Sequence, residues 1–219
     1  MAKQRGPITA VELQAQLESD PDWVARRKQR DDMFAALRAR LHIEQEPLLA
    51  DLRAVGMTAQ SVWDLVNTSA RYPLAIPVLL KHLLLPYCDR IREGIARALA
   101  TPDARESWPL LVAEYRKAPI GYEEDEATMG QSRRLSTKHG LAVALAAITT
   151  NEKLGELVEL LKDRSLGESR ILLLGPLRRR KSPVVIQALQ QLSLDPDLCK
   201  EIAAWKRKDL AAPPSNELH

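Results

Sequence analysis

Four histidines, His42, His82, His139 and His219, are the side chains best suited to proton transfer or metal ligation, and their spacing suits neither. A zinc or HExxH-type centre needs His, Cys or acidic ligands at short turn or helical intervals, and none of the four stands so. His82, with Lys81 beside it and Cys88 six residues on, reads as a structural histidine. Cys88 and Cys199 are far apart and form no CxxC, so no metal and no cofactor is expected. Two lone thiols fit a reducing compartment, the cytoplasm. G-x-S-x-G, Walker A and G-x-G-x-x-G are all missing. In Trp63-Asp64 a carboxylate follows an indole, a setting that can raise a pKa. A core tryptophan with a locally capping aspartate accounts for the pair more simply. The acidic run Glu123-Glu124-Asp125-Glu126 lacks the D-x-D-x-D-G order of a calcium loop and reads as a solvated loop.

Basic clusters are the stronger chemical signal. Arg178-Arg179-Arg180-Lys181 and Lys206-Arg207-Lys208 each end an expected helix, and Arg26-Arg27-Lys28 and Arg133-Arg134 add two more. Cations at helix C-termini complement the macrodipole, and that structural role alone explains them. If successive helices end on one side, Arg179, Arg180, Lys181, Lys206, Arg207 and Lys208 form one basic patch suited to phosphates or to an acidic protein. The net charge of +3 permits a nucleic-acid partner without arguing for one.

The elements that must position these residues are helices. In 219 residues the hydrophobic fraction is 45% and the charged fraction 28%, the balance of a globular chain with a real core. Aromatics are only 4%, too few for a β-sandwich or barrel, while the helix formers Ala, Leu, Arg and Glu dominate. Apolar runs such as the one at 83–86 are far too short to span a bilayer, so no membrane is expected. Thr9-Ala10-Val11-Glu12 is a capping box that starts a short helix. Asp20-Pro21 sets an N-cap before a long amphipathic helix over about 21–41. Pro47 opens a further helix stopped by Gly56, and Thr58 caps the next. From residue 74 the chain alternates Leu/Val-rich helices with helices of small residues, and the tail AAPPSNELH reads as unstructured.

The alternation is a repeat. DRIREGIARAL at 89–99 aligns with LSTKHGLAVAL at 135–145, placing Gly94 over Gly140, Arg92 over Lys138 and Glu93 over His139. Arg170 and Lys200 continue the Arg92 series, and Asp197 aligns with Asp89. Two-helix units of this length are expected of helical repeat arrays. The segment Ile76-Pro77-Val78-Leu79-Leu80 followed by Asp89 and Arg92 to Leu99 resembles the HEAT repeat, over roughly the C-terminal two thirds of the chain. SVWDLVN at 61–67 together with REGIARAL is similar to small bacterial HEAT-like proteins that lack an assigned activity. The resemblance implies a turn Asp and a following Arg that form a ladder between units. Leu135 and Gly167 stand where two of the turn acids belong, so that ladder is incomplete.

The resulting expectation is an all-α, right-handed solenoid of antiparallel helix pairs. Its N-terminal helical cap covers 1–57, the repeats 58–210 and a flexible tail 211–219. Glycine costs a helix about 1 kcal/mol relative to alanine, so Gly94 and Gly140 imply close approach of neighbouring helices. The expected function is a non-enzymatic interaction module whose concave face binds a protein partner through Glu93, Arg97, His139, Arg178 and Trp205, each off the apolar stripe. Glu93 and Arg97 are also an i,i+4 pair that can satisfy one another. The alternative is a nucleic-acid binder of the HEAT-like DNA-repair glycosylase type, for which the chain shows no matching catalytic motif. The sequence does not set the oligomeric state.

Overall fold

Capping chemistry sets most helix starts. The computed structural model describes residues 8–124, 132–178, 180 and 182–211, with 206–211 given by their backbone. Packing divides the chain into two compact units, Met1–Glu44 with Tyr122–Arg133 and Gln45–Gly121 with Arg134–His219. The molecule is mostly helical.

In the first unit, the Thr9 hydroxyl accepts from the Glu12 amide at 3.3 Å and the Glu12 carboxylate accepts from the Thr9 amide at 3.0 Å, opening α1 (Ala10–Glu18) with the expected box. The Asp20 carboxylate accepts from the amides of Asp22 and Trp23 and starts α2 (Pro21–Ala54). The basic cluster here is consumed locally. The Arg27 guanidinium lies 5.2 Å from the Trp23 ring centroid and pairs with Asp31, and Lys28 pairs with Asp32. A short hairpin, β1 (Tyr122–Glu124) and β2 (Ser132–Arg134), stands where a solvated loop was expected, with Glu123 paired to Arg133. Asp125 and Glu126 lie outside the described residues.

Pro47 does not open a helix. It lies inside α2, which runs unbroken to Ala54. A proline there forfeits one backbone hydrogen bond, and burial of Leu48, Leu49 and Leu52 on the same helix outweighs that loss. The stop is as read. Gly56 has φ 82°, its amide donates to Arg53 and the Met57 amide donates to Leu52, a Schellman closure. Ser61, not Thr58, caps α3 (Val62–Val66), and Asp64 answers by accepting from the amides of Gln60 and Ser61 at 2.8 and 3.1 Å. Gln45 Oε1 accepts from the Val62 amide at 3.1 Å and ties α3 to the end of α2.

The rest of the second unit is a succession of short helices. α4 (Ile76–Leu83) packs on α5 (Asp89–Ala98), and α6 (Trp108–Lys117) packs on α7 (Thr137–Ile148). α8 (Leu154–Lys162) packs on the segment Arg164–Leu177 and on α9 (Pro183–Leu192), and α10 (Cys199–Ala211) closes the order. The members expected to be second helices lie side by side. α5 contacts both α3 and α7, and α7 contacts Arg164–Leu177. That last segment is 3-10 rather than α-helical and is kinked at Gly167, φ 72°. Pro176 lies within it, and a glycine at positive φ with a proline nine residues on leaves no room for an α-helix.

Candidate functional site

Two crossings bring the site together, and each passes through a glycine. A Cβ at Gly94 would sit 2.6 Å from Val62 Cγ1 and 3.2 Å from the Trp63 indole, so α5 lies directly on α3. A Cβ at Gly140 would sit 2.9 Å from the Glu93 carbonyl oxygen and 3.0 Å from Ala96 Cβ, so α7 lies directly on α5. These crossings answer why helices with a face to bury carry such small residues: backbone, rather than side chain, makes the contact.

One crossing sets Glu93, Arg97 and His139 on a shared face. Arg97 Nε donates to Glu93 Oε1 at 2.8 Å, with both side chains partly covered. His139 Nε2 lies 3.4 Å from Glu168 Oε1, and the same carboxylate pairs with Arg134. Burial, and then the nearby Arg134 charge, push the His139 imidazole below its ordinary pKa. The face therefore presents alternating charge: Glu93 with Arg97, and Glu168 with Arg134 and His139. Sequence reasoning supplied Glu93, Arg97 and His139, and Arg134 as part of a basic pair, but missed Glu168, which follows the kink glycine and carries no repeat signal.

The cations read as an inter-unit ladder are all held by the scaffold where their side chains are described with partners. Arg170 is fully buried and donates to the Leu161 and Gly167 carbonyls, to Asp195 at 2.9 Å and to Asp197 at 2.8 Å. Lys138 is buried, donates to the Ala118 carbonyl at 2.9 Å and stands over the Tyr115 ring. Arg92 reaches Glu114 at 3.4 Å. Asp89 plays a different part from a turn acid paired to arginine. Its carboxylate accepts from the Ser136 and Thr137 amides at 2.7 and 2.9 Å, capping the start of α7 from another helix. His82, as read, is structural. It is buried, with Nε2 2.9 Å from Asp51 and Nδ1 2.7 Å from the Tyr87 hydroxyl.

Arg178 and Trp205 meet elsewhere. The guanidinium lies 5.8 Å from the Trp205 ring centroid at a cleft of about 500 Å³ between α9 and α10, which Ile186, Leu189 and Ile202 also line. Trp205 does not face outward as expected. It is 8% exposed, and its indole N–H donates to Glu201 at 2.7 Å. A large ring buried between α9 and α10 covers apolar surface of that helix pair. Arg180 is likewise engaged by the scaffold. It donates to the Pro176 and Thr149 carbonyls and to Asn151, a cation satisfying helix-end carbonyls. Arg179, Lys181 and the side chains of Lys206, Arg207 and Lys208 lie outside the described residues.

Among the described residues no group of three or more His, Cys, Asp or Glu side chains is arranged to hold a metal ion, and no helix is long and apolar enough to cross a membrane. No protein-family model, curated protein or solved structure significantly matches this chain.

Proposed function

We propose that the second unit is a right-handed, HEAT-like helical solenoid that binds a protein partner on the face formed by α5 and α7. The observation that carries this reading is the pair of glycine crossings. They seat α3, α5 and α7 in one row and bring Glu93, Arg97 and His139 together on it, with Arg134 and Glu168 adjoining. Units of an array bury their apolar faces on their neighbours and leave one edge of each second helix to a ligand. The charges alternate in sign and are already paired, which suits a partner chosen by register and complementarity more than by bulk attraction. Cys88 and Cys199 form no disulfide, which fits a cytoplasmic setting.

The test is partner capture by the immobilised full chain from native lysate, with the captured protein identified by mass spectrometry and its affinity then measured. The triple variant Glu93→Ala, Arg97→Ala, His139→Ala is expected to lose that binding at least tenfold while retaining its helical circular dichroism. Unchanged affinity would sink the reading. A duplex-DNA gel shift that strengthens steeply as salt falls would replace it with nucleic-acid binding.

A further inference from the structure

A second cleft, of about 420 Å³, opens beside the α5–α7 face where the loop after α3 meets the end of α5. Its polar wall carries Arg71, Arg97 and the hydroxyls of Thr68, Ser69 and Thr101, and its apolar floor includes Leu65 and Val143. Among the residues lining it there is no acidic side chain. Each guanidinium is oriented by a carboxylate outside that lining. Arg71 is held by Asp103 through Nε and one terminal nitrogen, and Arg97 by Glu93 through Nε alone. Those bonds fix the two forks and leave terminal N–H groups over, one pair on Arg97 and one nitrogen on Arg71. Arg71 is 79% exposed, so nothing covers its outer edge.

The hydroxyls are also uncommitted. Thr101 stands at the N-cap position of the 3-10 turn Pro102–Ser107, yet its side chain makes no capping bond. Thr68 Oγ1 accepts from the Ala70 amide and keeps its own proton to donate. A wall of guanidinium and hydroxyl donors with no carboxylate is matched by an oxyanion. Planar arginine forks favour phosphate or carboxylate. The free terminal fork of Arg97, the remaining terminal nitrogen of Arg71 and three hydroxyls exceed the acceptor capacity of one carboxylate and suit the three terminal oxygens of a phosphate monoester.

We propose that this cleft binds a phosphate monoester whose carrier rests on the apolar floor. A phosphorylated side chain and a small phosphorylated metabolite share that chemistry. The site stands on its own lining and does not depend on capture of a protein partner, so the two readings fail separately.

The experiment titrates the ¹⁵N-labelled full chain with inorganic phosphate, O-phospho-L-tyrosine, glucose 6-phosphate, dimethyl phosphate and acetate. Saturable shifts are expected at the amides of residues 68–72 and 100–101 with all three monoester-type anions, and phosphotyrosine is expected to bind more tightly than inorganic phosphate. Phosphotyrosine binding tighter than glucose 6-phosphate assigns the carrier to a side chain, and the reverse order assigns it to a metabolite. Arg71→Gln and Thr101→Val are each expected to weaken binding, the arginine change by about tenfold. Both positions are at the surface of the cleft, so the pair keeps the test valid if one variant is unstable. Absence of saturable shifts, equal affinity for acetate or dimethyl phosphate, or undiminished affinity in both variants overturns the proposal.

Discussion

Arg170 shows how far a residue's role depends on partners that are distant in sequence. Its side chain is wholly buried, and four groups accept its protons: the carbonyls of Leu161 and Gly167 and the carboxylates of Asp195 and Asp197. Burying a guanidinium is tolerable only with such company. Arg170→Ala is expected to cost about 3–5 kcal/mol, because it removes the buried partner of Asp195 and leaves that carboxylate only the exposed Arg164 and the Asp197 amide. That loss lowers the melting midpoint by roughly 6–20 °C in a chain of this size. Thermal unfolding followed by circular dichroism checks it, and a shift under a few degrees would count against the buried pair. The sequence did place Arg170 in a scaffold series and Asp197 among the turn acids. It did not disclose Asp195, the more buried of the two acids. It could not disclose that Asp89 caps α7, since a carboxylate's partner 47 residues away leaves no local pattern. Trp205 was misread for a related reason: helical periodicity gives a face, but not which neighbour covers it.

At the scale of elements, the glycines divide into three kinds that the sequence does not distinguish. Gly94 and Gly140 are pressed against neighbouring helices, Gly56 and Gly167 adopt positive φ, and Gly155 in α8 faces open space. The same substitution therefore has opposite signs. Gly94→Ala and Gly140→Ala force backbone or the stiff, buried Val62 to shift and are expected to destabilise by about 1–3 kcal/mol. Gly155→Ala meets nothing and is expected to stabilise by about 0.5–1 kcal/mol. Urea midpoints for the three variants decide it, and a common sign for all three would refute the crossings. Caps were the most legible elements, because Thr9–Glu12 and Asp20–Pro21 act within one turn. Pro47 was misread because tertiary burial of Leu48 and Leu52 overrode a local breaker. The kink in the Arg164–Leu177 segment leaves no pattern in the sequence, because it depends on the φ of a single glycine.

For the whole molecule, pH links several of these contacts. Hydrogen bonds from Arg170 to Asp195, from Lys81 and then His82 to Asp51, and from Arg71 to Asp103 hold these carboxyls below the ordinary carboxylate range. A carboxyl with a depressed folded pKa binds fewer protons folded than unfolded. Its stabilisation is complete above the unfolded value of about 4 and is lost as the pH falls through the folded one. Stability is thus expected to begin to decline below about pH 6.5, where the unfolded His139 takes up a proton that the folded imidazole resists, and to fall further below about pH 4. In Arg170→Met the acid slope should be shallower, since Asp195 loses the bond that depresses it. Denaturant midpoints across that range test this, and an equally steep slope in the variant would exclude Asp195 as a contributor.

The buried guanidinium also sets an order of assembly. The carboxylates that satisfy Arg170 lie 25 and 27 residues downstream of it. As the chain emerges from the ribosome, the Arg164–Leu177 segment carries a cation it cannot bury until Asp195 and Asp197 have followed. The packing of the Arg164–Leu177 segment is therefore completed only once the chain has reached Asp195 and Asp197.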